Sequence, residues 1–307
     1  MVEQNGPEPS GPPERSKSSD DPAGRQPAHG LVVVATPIGN RHDITLRALA
    51  LLRSVDLVAC EDSRVTGKLL SLHGIHAPLL AYHEHNAERV RPQLLARLAR
   101  GERIALVSDA GMPLVSDPGY KLVRAAIAAG LPVSVAPGPS AVLAALVLSG
   151  LPCDRFLFAG FLPPRQAARR DALAEIASVR ASLIFFEAPS RLAAALADMA
   201  AVLGDRDAAV ARELTKLFEE VRRDRLGALA AHYAAAGPPK GELVVTVGPP
   251  PAAAAPAEAD IDAQLRAALV GHSLRDAVAT VAATSGLPRR AVYARALALT
   301  GGAPDEP

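Results

Sequence analysis

The feature that most restricts the fold of this chain is a regular alternation, from residue 31 to residue 149, of short apolar runs and helical patterns. Residues 31–35 and 57–60 are continuous apolar runs, which are typical of strands buried on both faces. Asp43 precedes the first helical pattern and is expected to cap that helix. Because strands alternate with single helices, the pattern predicts a parallel α/β sheet. The predicted strands are residues 31–35, 57–60, 78–82, 104–108 and 133–136, and the predicted helices are 44–52, 65–72, 89–100, 121–129 and 141–149.

The second half of the chain shows a similar pattern and then changes to helices alone. A Pro/Ala-rich stretch at residues 249–257 has the composition of a linker. We expect a disordered tail at 1–29, α/β domains at 30–148 and 152–249, and a helical unit at 258–302. The predicted strands of the second half are 155–158, 183–187, 208–213 and 243–247, and its helices are 170–176, 192–203, 226–236, 261–270, 274–285 and 289–299.

Composition excludes several classes of protein. Aromatic residues make up only 3% of the 307 residues, so the cores must be built mainly from Ala, Val, Leu and Ile. No run approaches the roughly 18 apolar residues of a membrane span, and residues 1–29 lack the apolar segment of a signal peptide. Cys60 and Cys153 are expected to be reduced thiols, which suits the cytoplasm. The net charge of +1 means that any basic surface must be local.

Five polar loops rich in Gly and Pro follow the five strands predicted in the first half. The carboxyl ends of parallel strands meet at one edge of a sheet, where α/β proteins bind their ligands. We therefore expect one site at this edge rather than five unrelated loops. The loops are residues 36–40, 61–64, 83–86, 108–119 and 137–140.

The common phosphate-binding, metalloprotease and hydrolase motifs are absent from the sequence. His83 and His85 could ligate a metal, but without a third ligand at a usual spacing we favour a polar loop and predict no metal. Gly111 and Gly138 allow the main chain to approach a ligand closely, and Asp109 would favour a cationic one. Taken alone, the residues point only weakly to a sulfonium cofactor.

The motifs in these loops also occur in order in one known family. The chain resembles the ribosomal RNA small-subunit methyltransferase I family, within the tetrapyrrole methylase fold, over about residues 30–300. The matching runs are VATPIGN (34–40), EDSR (61–64), VSDAGMPLVSDPGY (107–120), PGPSA (137–141), GFLP (160–163), RRDAL (169–173), FFEAPSR (185–191), ARELTKLFEE (211–220) and KGEL (240–243).

The resemblance implies a two-domain α/β fold of the tetrapyrrole methylase kind with a small C-terminal three-helix unit. It implies S-adenosylmethionine (SAM) in the cleft between the two domains, and a homodimer in the cytoplasm. The implied reaction is methylation of a cytidine 2′-hydroxyl in the decoding region of 16S rRNA. The expected partner is 16S rRNA or the small ribosomal subunit.

The resemblance and the sheet edge together suggest three sets of site residues. Either Lys216 or a carboxylate is expected to assist deprotonation of the ribose, although the catalytic set could instead be a structural ion-pair network. The terminal helices could touch RNA phosphates or simply be solvated. The SAM-binding set is Pro37, Gly39, Asp109, Ala110, Gly111, Pro113, Asp117, Pro137, Gly138, Ser140 and Ala141. The catalytic set is Glu61, Glu187, Arg212, Glu213 and Lys216, with Asp62 and Arg64 beside it in the cleft. The RNA-binding set is Arg64, Arg165, Arg169, Arg170, Arg289 and Arg290.

Two other functions remain open from the sequence. One is a SAM-dependent methyltransferase that acts on a tetrapyrrole or another small molecule. The other is an RNA-binding ribosome-assembly factor that has lost catalysis; it would need a blocked SAM pocket, and no bulky residue interrupts the PGPSA or SDAG runs.

Overall fold

The first five strands form one sheet in which every neighbouring pair is parallel. The computed structural model describes residues 29–251 and 258–300. The order of strands across the sheet is β3-β2-β4-β1-β5, so the predicted parallel sheet is confirmed. The strands are β1 (Gly30–Val34), β2 (Leu57–Cys60), β3 (Leu79–Ala81), β4 (Arg103–Val107) and β5 (Val133–Ala136).

Helices cover both faces of this sheet, which explains why its strands are mostly apolar. Val32 and Val34 pack in one core cluster with Leu51 of α1, whereas Leu31 and Val33 pack in another with Leu94 of α3. Successive residues of a strand point to opposite faces, so each strand contributes to both clusters. The helices are α1 (Leu46–Ser54), α2 (Ser63–Leu72), α3 (Ala87–Ala99), α4 (Tyr120–Ala128) and α5 (Ala141–Ser149).

The start of α1 differs from the prediction. Thr45, and not Asp43, caps the helix: its hydroxyl oxygen accepts the N–H of Ala48 at 3.0 Å. Asp43 instead ends a short 3-10 turn, Arg41–Asp43, which Asn40 caps through the N–H of His42. The prediction was wrong because this separate turn uses the residues immediately before the helix.

The second sheet is mixed, with the strand order β6-β7-β10-β8-β9. Only β6 and β7 are parallel, and β10 runs antiparallel to both of its neighbours. Helices α6, α7 and α8 pack on one face of this sheet. The strands are β6 (Phe156–Phe161), β7 (Ser182–Glu187), β8 (Asp207–Arg212), β9 (Glu220–Arg225) and β10 (Leu243–Val247), and the helices are α6 (Gln166–Ile176), α7 (Leu192–Leu203) and α8 (Leu226–Ala236).

Strand β9 was not predicted from the sequence. It reads EVRRDR and lies at the edge of the sheet, where it pairs with β8 alone. Four of its six side chains are exposed, so it lacks the apolar signal by which a strand is recognised. Charged residues on an edge strand also discourage pairing with other chains.

Helix α5 joins the two sheets. Val142, Ala145 and Leu146 of α5 pack in one cluster with Ile184 of β7 and Val244 of β10, on the face of the second sheet opposite α6–α8. The helix follows β5 of the first sheet directly, so both sheets are connected through a single apolar helix.

Of the described residues, 250–251 and 258–300 belong to a second compact unit. It contains α9 (Glu258–Leu269), α10 (Leu274–Ser285) and α11 (Arg289–Thr300). The expected tail at 1–28, linker residues 252–257 and residues 301–302 lie outside the described residues. Within the described parts of the chain, no helix has both the length and the apolar character needed to cross a membrane. Cys60 is buried, Cys153 is exposed, and both are free thiols.

A buried ion pair ties α6 to α7. The Asp198 carboxylate accepts hydrogen bonds from Arg169 at 2.5 Å and from Arg170 at 2.7 Å. The side chains of Arg169 and Asp198 are only 6% and 1% exposed, whereas half of Arg170 is in solvent. Removing one member of such a pair leaves a buried charge without compensation, which costs far more than losing a surface pair.

We therefore expect Asp198→Ala to lower the free energy of unfolding by about 3–5 kcal/mol. Urea titration followed by circular dichroism measures this loss. The control is Arg100→Ala, which breaks the more exposed pair with Glu102 and should change stability little. Equal effects of the two variants would contradict the structural importance of the buried pair.

Candidate functional site

The loops at the carboxyl edge of the first sheet face residues of the second sheet across a cavity of about 450 Å³. From the first sheet come the loops after β2, β4 and β5, together with Ile38. The second sheet contributes the ends of β6 and β7 and the start of β10. The lining residues are Ile38, Glu61, Asp109, Ala110, Gly111, Met112, Val115, Ser116, Asp117, Ser140, Ala141, Val142, Phe161, Phe186, Glu187, Ala188, Pro189, Gly241, Glu242, Leu243 and Val244.

Backbone contacts hold the loop after β4 in place. Thr36 and Gly111 exchange two N–H···O hydrogen bonds of 2.9 and 3.1 Å, and the Thr36 hydroxyl donates to the Ser108 carbonyl at 3.1 Å. Gly111 has a φ of +82°, a conformation that side-chain-bearing residues rarely adopt. Leu114 and Ser116 also have positive φ, at 74° and 63°. Backbone strain of this kind is found disproportionately at ligand-binding sites.

The cavity is acidic. Its lining includes the carboxylates of Glu61, Asp109, Asp117, Glu187 and Glu242, and none of the described lining residues is basic. Glu187 pairs with Arg191 and Glu242 with Lys216, which leaves the first three without an ion pair among the described residues. A cavity with this charge attracts a cation and repels a phosphate.

Burial changes the acidity of these carboxyls. It raises the pKa of Asp117 to about 6; a hydrogen bond with Ser108 opposes the shift, and the nearby carboxylates of Glu61 and Asp109 add to it. Burial also raises the pKa of Glu61 and of Asp109. Clustered carboxyls with raised pKa values are common in functional sites, because stability alone does not favour them.

Glu187 has one satisfied and one unsatisfied oxygen. Its Oε1 accepts the N–H of Ala188 at 2.7 Å and the guanidinium of Arg191 at 2.6 Å. Its Oε2 is buried and has no hydrogen-bond partner, and the residue lines the cavity. Leaving a buried carboxylate oxygen unpaired is costly, so a ligand that donates a hydrogen bond is the expected partner.

A second cavity of about 490 Å³ adjoins the first. The two cavities share Glu61, Ser116 and Asp117, and the second adds residues 83–85 and Pro118. Asp117 therefore lies between two spaces. Among the described residues, no group of three or more His, Cys, Asp or Glu side chains is arranged to hold a metal ion.

The structure divides the predicted SAM-binding residues into two groups. The first group lines the cavity: Asp109, Ala110, Gly111, Asp117, Ser140 and Ala141. The second does not line it: Pro37, Gly39, Pro113, Pro137 and Gly138. Two of these residues are glycines packed tightly against other parts of the protein. A Cβ on Gly39 would lie 2.5 Å from Lys216 Cγ, and a Cβ on Gly138 would lie 3.0 Å from Ala35 Cβ. The tight turns therefore support the cavity rather than form its surface.

The predicted catalytic residues divide in the same way. Glu61 and Glu187 line the cavity, whereas Arg212, Glu213 and Lys216 lie in an ion-pair network beside it. Arg212 bonds Glu220 at 2.9 Å, and Lys216 bonds Glu213 and Glu242 at 2.7 Å each.

Lys216 is a poor proton acceptor in this network. Burial lowers the pKa of Lys216, but its hydrogen bonds to Glu213 and Glu242 outweigh that and raise it above the ordinary value. The ammonium is therefore held protonated. Ion pairs with two carboxylates favour the ammonium form of Lys216, and its part in deprotonation stays a prediction.

The predicted RNA-binding arginines are not equivalent. The predicted RNA contact of Arg169 is wrong, because its side chain is buried against Asp198 and cannot reach a phosphate in solvent. Arg64 is 89% exposed but is bonded to Asp62 at 2.5 Å, and Arg170 shares Asp198. Arg165 is exposed, as are Arg289 and Arg290 in the C-terminal unit.

Several lining residues were not predicted, although the sequence contained a signal for them. Phe161, Phe186 and Pro189 lie in two of the recognised motifs, and Gly241 and Glu242 lie in a third. The Phe161 and Phe186 rings are 5.5 Å apart and give the acidic cavity an apolar wall. The motifs could have indicated these positions. The alternation of strands and helices in the first half of the chain could not, because these residues belong to the second sheet.

Comparison with known families agrees with this architecture. The model of the tetrapyrrole (corrin/porphyrin) methylases matches residues 30–230, and that of the RsmI C-terminal HTH domain matches residues 255–300. Among solved structures, diphthine synthase has a TM-score of 0.55 at 19% identity and covers 71% of this chain and 89% of its own. A cobalt precorrin-4 methyltransferase has a TM-score of 0.52 at 18% identity, covering 71% and 94%. These likenesses show the fold.

Curated relatives are much closer in sequence. "Ribosomal RNA small subunit methyltransferase I" of Mesorhizobium japonicum is 53% identical over 270 residues, which cover 88% of this chain and 92% of the relative. The protein of the same name from Escherichia coli O157:H7 is 45% identical over 273 residues, covering 88% and 96%. The predicted resemblance and fold class are therefore confirmed: the chain belongs to the tetrapyrrole methylase family, among its ribosomal RNA small subunit methyltransferase I members.

Proposed function

We propose that this chain is a SAM-dependent methyltransferase that modifies the ribose 2′-hydroxyl of a cytidine in the decoding region of 16S rRNA. The observation that carries the proposal is the acidic, apolar-walled cavity at the carboxyl edge of the parallel sheet. Relatives with 43–53% identity over most of the chain are named as small-subunit rRNA methyltransferases. A uroporphyrin-III C-methyltransferase from Thermus thermophilus, which is similar in fold with a TM-score of 0.50 at 22% identity, was solved in complex with S-adenyl homocysteine.

The residues present fit SAM. Its sulfonium is favoured by Asp109 and Asp117, and the apolar wall at Phe161 and Phe186 suits the adenosine. The unpartnered Oε2 of Glu187 can accept a hydrogen bond from a ligand N–H or O–H. When bound, SAM supplies an electrophilic methyl group, so the chain itself needs to orient the ribose and remove one proton.

Asp117 is the best placed group to take that proton. A ribose hydroxyl is a weak acid, so a base close to the oxygen assists its reaction. Asp117 lies between the two cavities, one of which can hold the methyl donor and the other the target ribose. With a pKa of about 6, its carboxylate is ionised at neutral pH and is more basic than an ordinary aspartate.

The proposed setting is a cytoplasmic homodimer that acts on 16S rRNA or the small ribosomal subunit. Leu143 and Val147 stand one turn apart on the outer face of α5 and are largely exposed, and Val135 is exposed on the edge strand β5. Exposed apolar residues of this kind suit contact with a second copy. The proposed chain has α/β domains at 30–148 and 152–249 and a helical unit at 258–302.

The function is tested by incubating the protein with methyl-labelled SAM and small subunits that lack the modification. We expect the label in 16S rRNA and, after digestion to nucleosides, on the ribose of a cytidine. A tetrapyrrole and naked 16S rRNA are the parallel substrates. Label on the tetrapyrrole alone would support the small-molecule alternative, and no SAM binding at all would support a non-catalytic assembly factor.

The raised pKa of Asp117 predicts a pH dependence of cofactor affinity. A cation prefers the ionised carboxyl, so the affinity for SAM should fall as pH drops through about 6. Between pH 7.5 and pH 5 the loss attributable to one such group is at most about tenfold. S-adenosylhomocysteine carries no sulfonium, so its affinity should fall less, and calorimetry at both pH values measures the difference.

The matched variant for this measurement is Asp117→Asn, in which the titrating group is gone. In that protein the ratio of the two affinities should depend much less on pH, because only Glu61 and Asp109 remain of the three carboxyls with a raised pKa. If the unmodified protein lost affinity for SAM and for S-adenosylhomocysteine equally at low pH, Asp117 would not face the sulfonium.

The unsatisfied oxygen of Glu187 predicts a specific loss on substitution. Glu187→Gln should lower kcat/KM by about tenfold to a hundredfold, since hydrogen bonds to charged groups contribute about 1.5–3 kcal/mol. Steady-state methylation assays measure the change, and thermal unfolding checks that the variant folds. Glu242→Gln alters a more exposed carboxylate of the same cavity and should cost less; a greater loss in that control would contradict the assignment.

A further inference from the structure

The charge of the cavity raises the question of where RNA phosphates are held. Five carboxylates line the first cavity and three line the second, which would receive the ribose, and neither cavity has a Lys or Arg among its described lining residues. RNA carries one negative charge per nucleotide, and proteins that bind it neutralise several of these with Lys or Arg. If the chain acts on RNA as proposed, cations elsewhere must hold the strand.

The C-terminal unit offers a concave surface of the required charge. A cavity of about 350 Å³ lies between α10 and α11 and is lined by Arg275, Val278, Arg289, Arg290 and Tyr293. We call it the α10–α11 pocket. Val278 is buried and forms an apolar floor, whereas the three arginines and the tyrosine are exposed.

The arginines of this pocket differ from others in the same unit. Within residues 258–300 and 29–251, the side chains of Arg275, Arg289 and Arg290 have no hydrogen-bond or ion-pair partner. By contrast, Arg295 is bonded to Asp262 at 2.5 Å. Asp276, next to Arg275 in the chain, is bonded instead to the Ser273 hydroxyl at 2.6 Å. Three neighbouring guanidiniums are therefore free to bind an anion.

Tyr293 narrows the class of ligand. It lies one helical turn after Arg289 and Arg290 on α11, and 44% of its surface is exposed beside them. An exposed aromatic ring next to arginines is the arrangement on which an unpaired base stacks while its phosphate bonds a guanidinium. Bases inside a duplex are already stacked and cannot use such a ring.

We propose that the α10–α11 pocket binds an unpaired nucleotide of single-stranded RNA, with the base on Tyr293 and the phosphates on Arg275, Arg289 and Arg290. The inference rests on the proposed action on RNA, and it assigns the nucleic-acid contact to residues that do not take part in methyl transfer. It also distinguishes the unit from a helix-turn-helix that reads a duplex groove.

The experiment measures binding of the full-length protein to a fluorescein-labelled single-stranded RNA without self-complementarity, by anisotropy and without SAM. The same RNA annealed to its complement is the second probe. We expect tighter binding to the single strand. Tyr293→Leu should weaken it by about fivefold to a hundredfold, as expected for one stacked base, without changing the salt dependence.

The arginine variants should behave differently. Combined Arg289→Ala and Arg290→Ala substitution should reduce both the affinity and the slope of log K against log salt, by about 0.7 for each phosphate that is no longer neutralised. Arg266→Ala removes an exposed arginine of the same unit outside the pocket and is the control for net charge. Tyr293→Phe keeps the ring and should bind normally, which separates stacking from a folding defect.

The inference would be overturned if Tyr293→Leu and the double arginine variant bound the single strand as tightly as Arg266→Ala does. Equal affinity of the unmodified protein for the single strand and the duplex would also overturn it. This outcome is distinguishable from failure of the proposed function, because RNA binding is measured without turnover. A protein that binds RNA through the pocket but transfers no methyl group would refute the proposed reaction alone.

Discussion

The parallel pairing of β1, β2, β4 and their neighbours is the constraint on which the site depends. Because every strand of the first sheet runs the same way, the loops that follow them leave one edge. Acidic residues far apart in the chain, such as Glu61, Asp109 and Asp117, are thereby brought to one cavity. The mutual repulsion of their carboxylates is tolerated because the apolar clusters on both faces of the sheet hold the strands in register.

The two kinds of charge needed by an RNA methyltransferase are found in different parts of the chain. Carboxylates surround the space suited to a cationic methyl donor, and unpaired arginines occur on α10 and α11. A single cleft with both would neutralise itself through internal ion pairs, as Lys216 does with Glu213 and Glu242. Because no basic residue is among the described lining residues of the cavity, its unpaired carboxylates stay available for a cation.

Much of the fold could be predicted from the sequence, because apolar runs and helical spacing directly reflect burial. Helix α5 and strands β2, β5 and β10 were predicted with their observed bounds. Strand β9 could not be predicted, since an exposed edge strand has no periodic apolar signal. The part of the cavity formed by the first sheet could be predicted, because ligands of α/β proteins bind at the carboxyl ends of parallel strands. The ion pairs of Arg169 and Lys216 could not be predicted, because the sequence does not show which carboxylate lies beside which basic side chain.

Helix α5 has a mechanical consequence. Its N-cap Ser140 and its first residue Ala141 are part of the cavity wall, while its buried face packs on β7 and β10. A rotation of the second sheet would therefore move α5 and, with it, the part of the cavity wall where the cofactor is proposed to lie. Widening the cleft for a bulky substrate and loosening the grip on the cofactor would then be one movement, which suits an enzyme that must release a spent donor after each turnover.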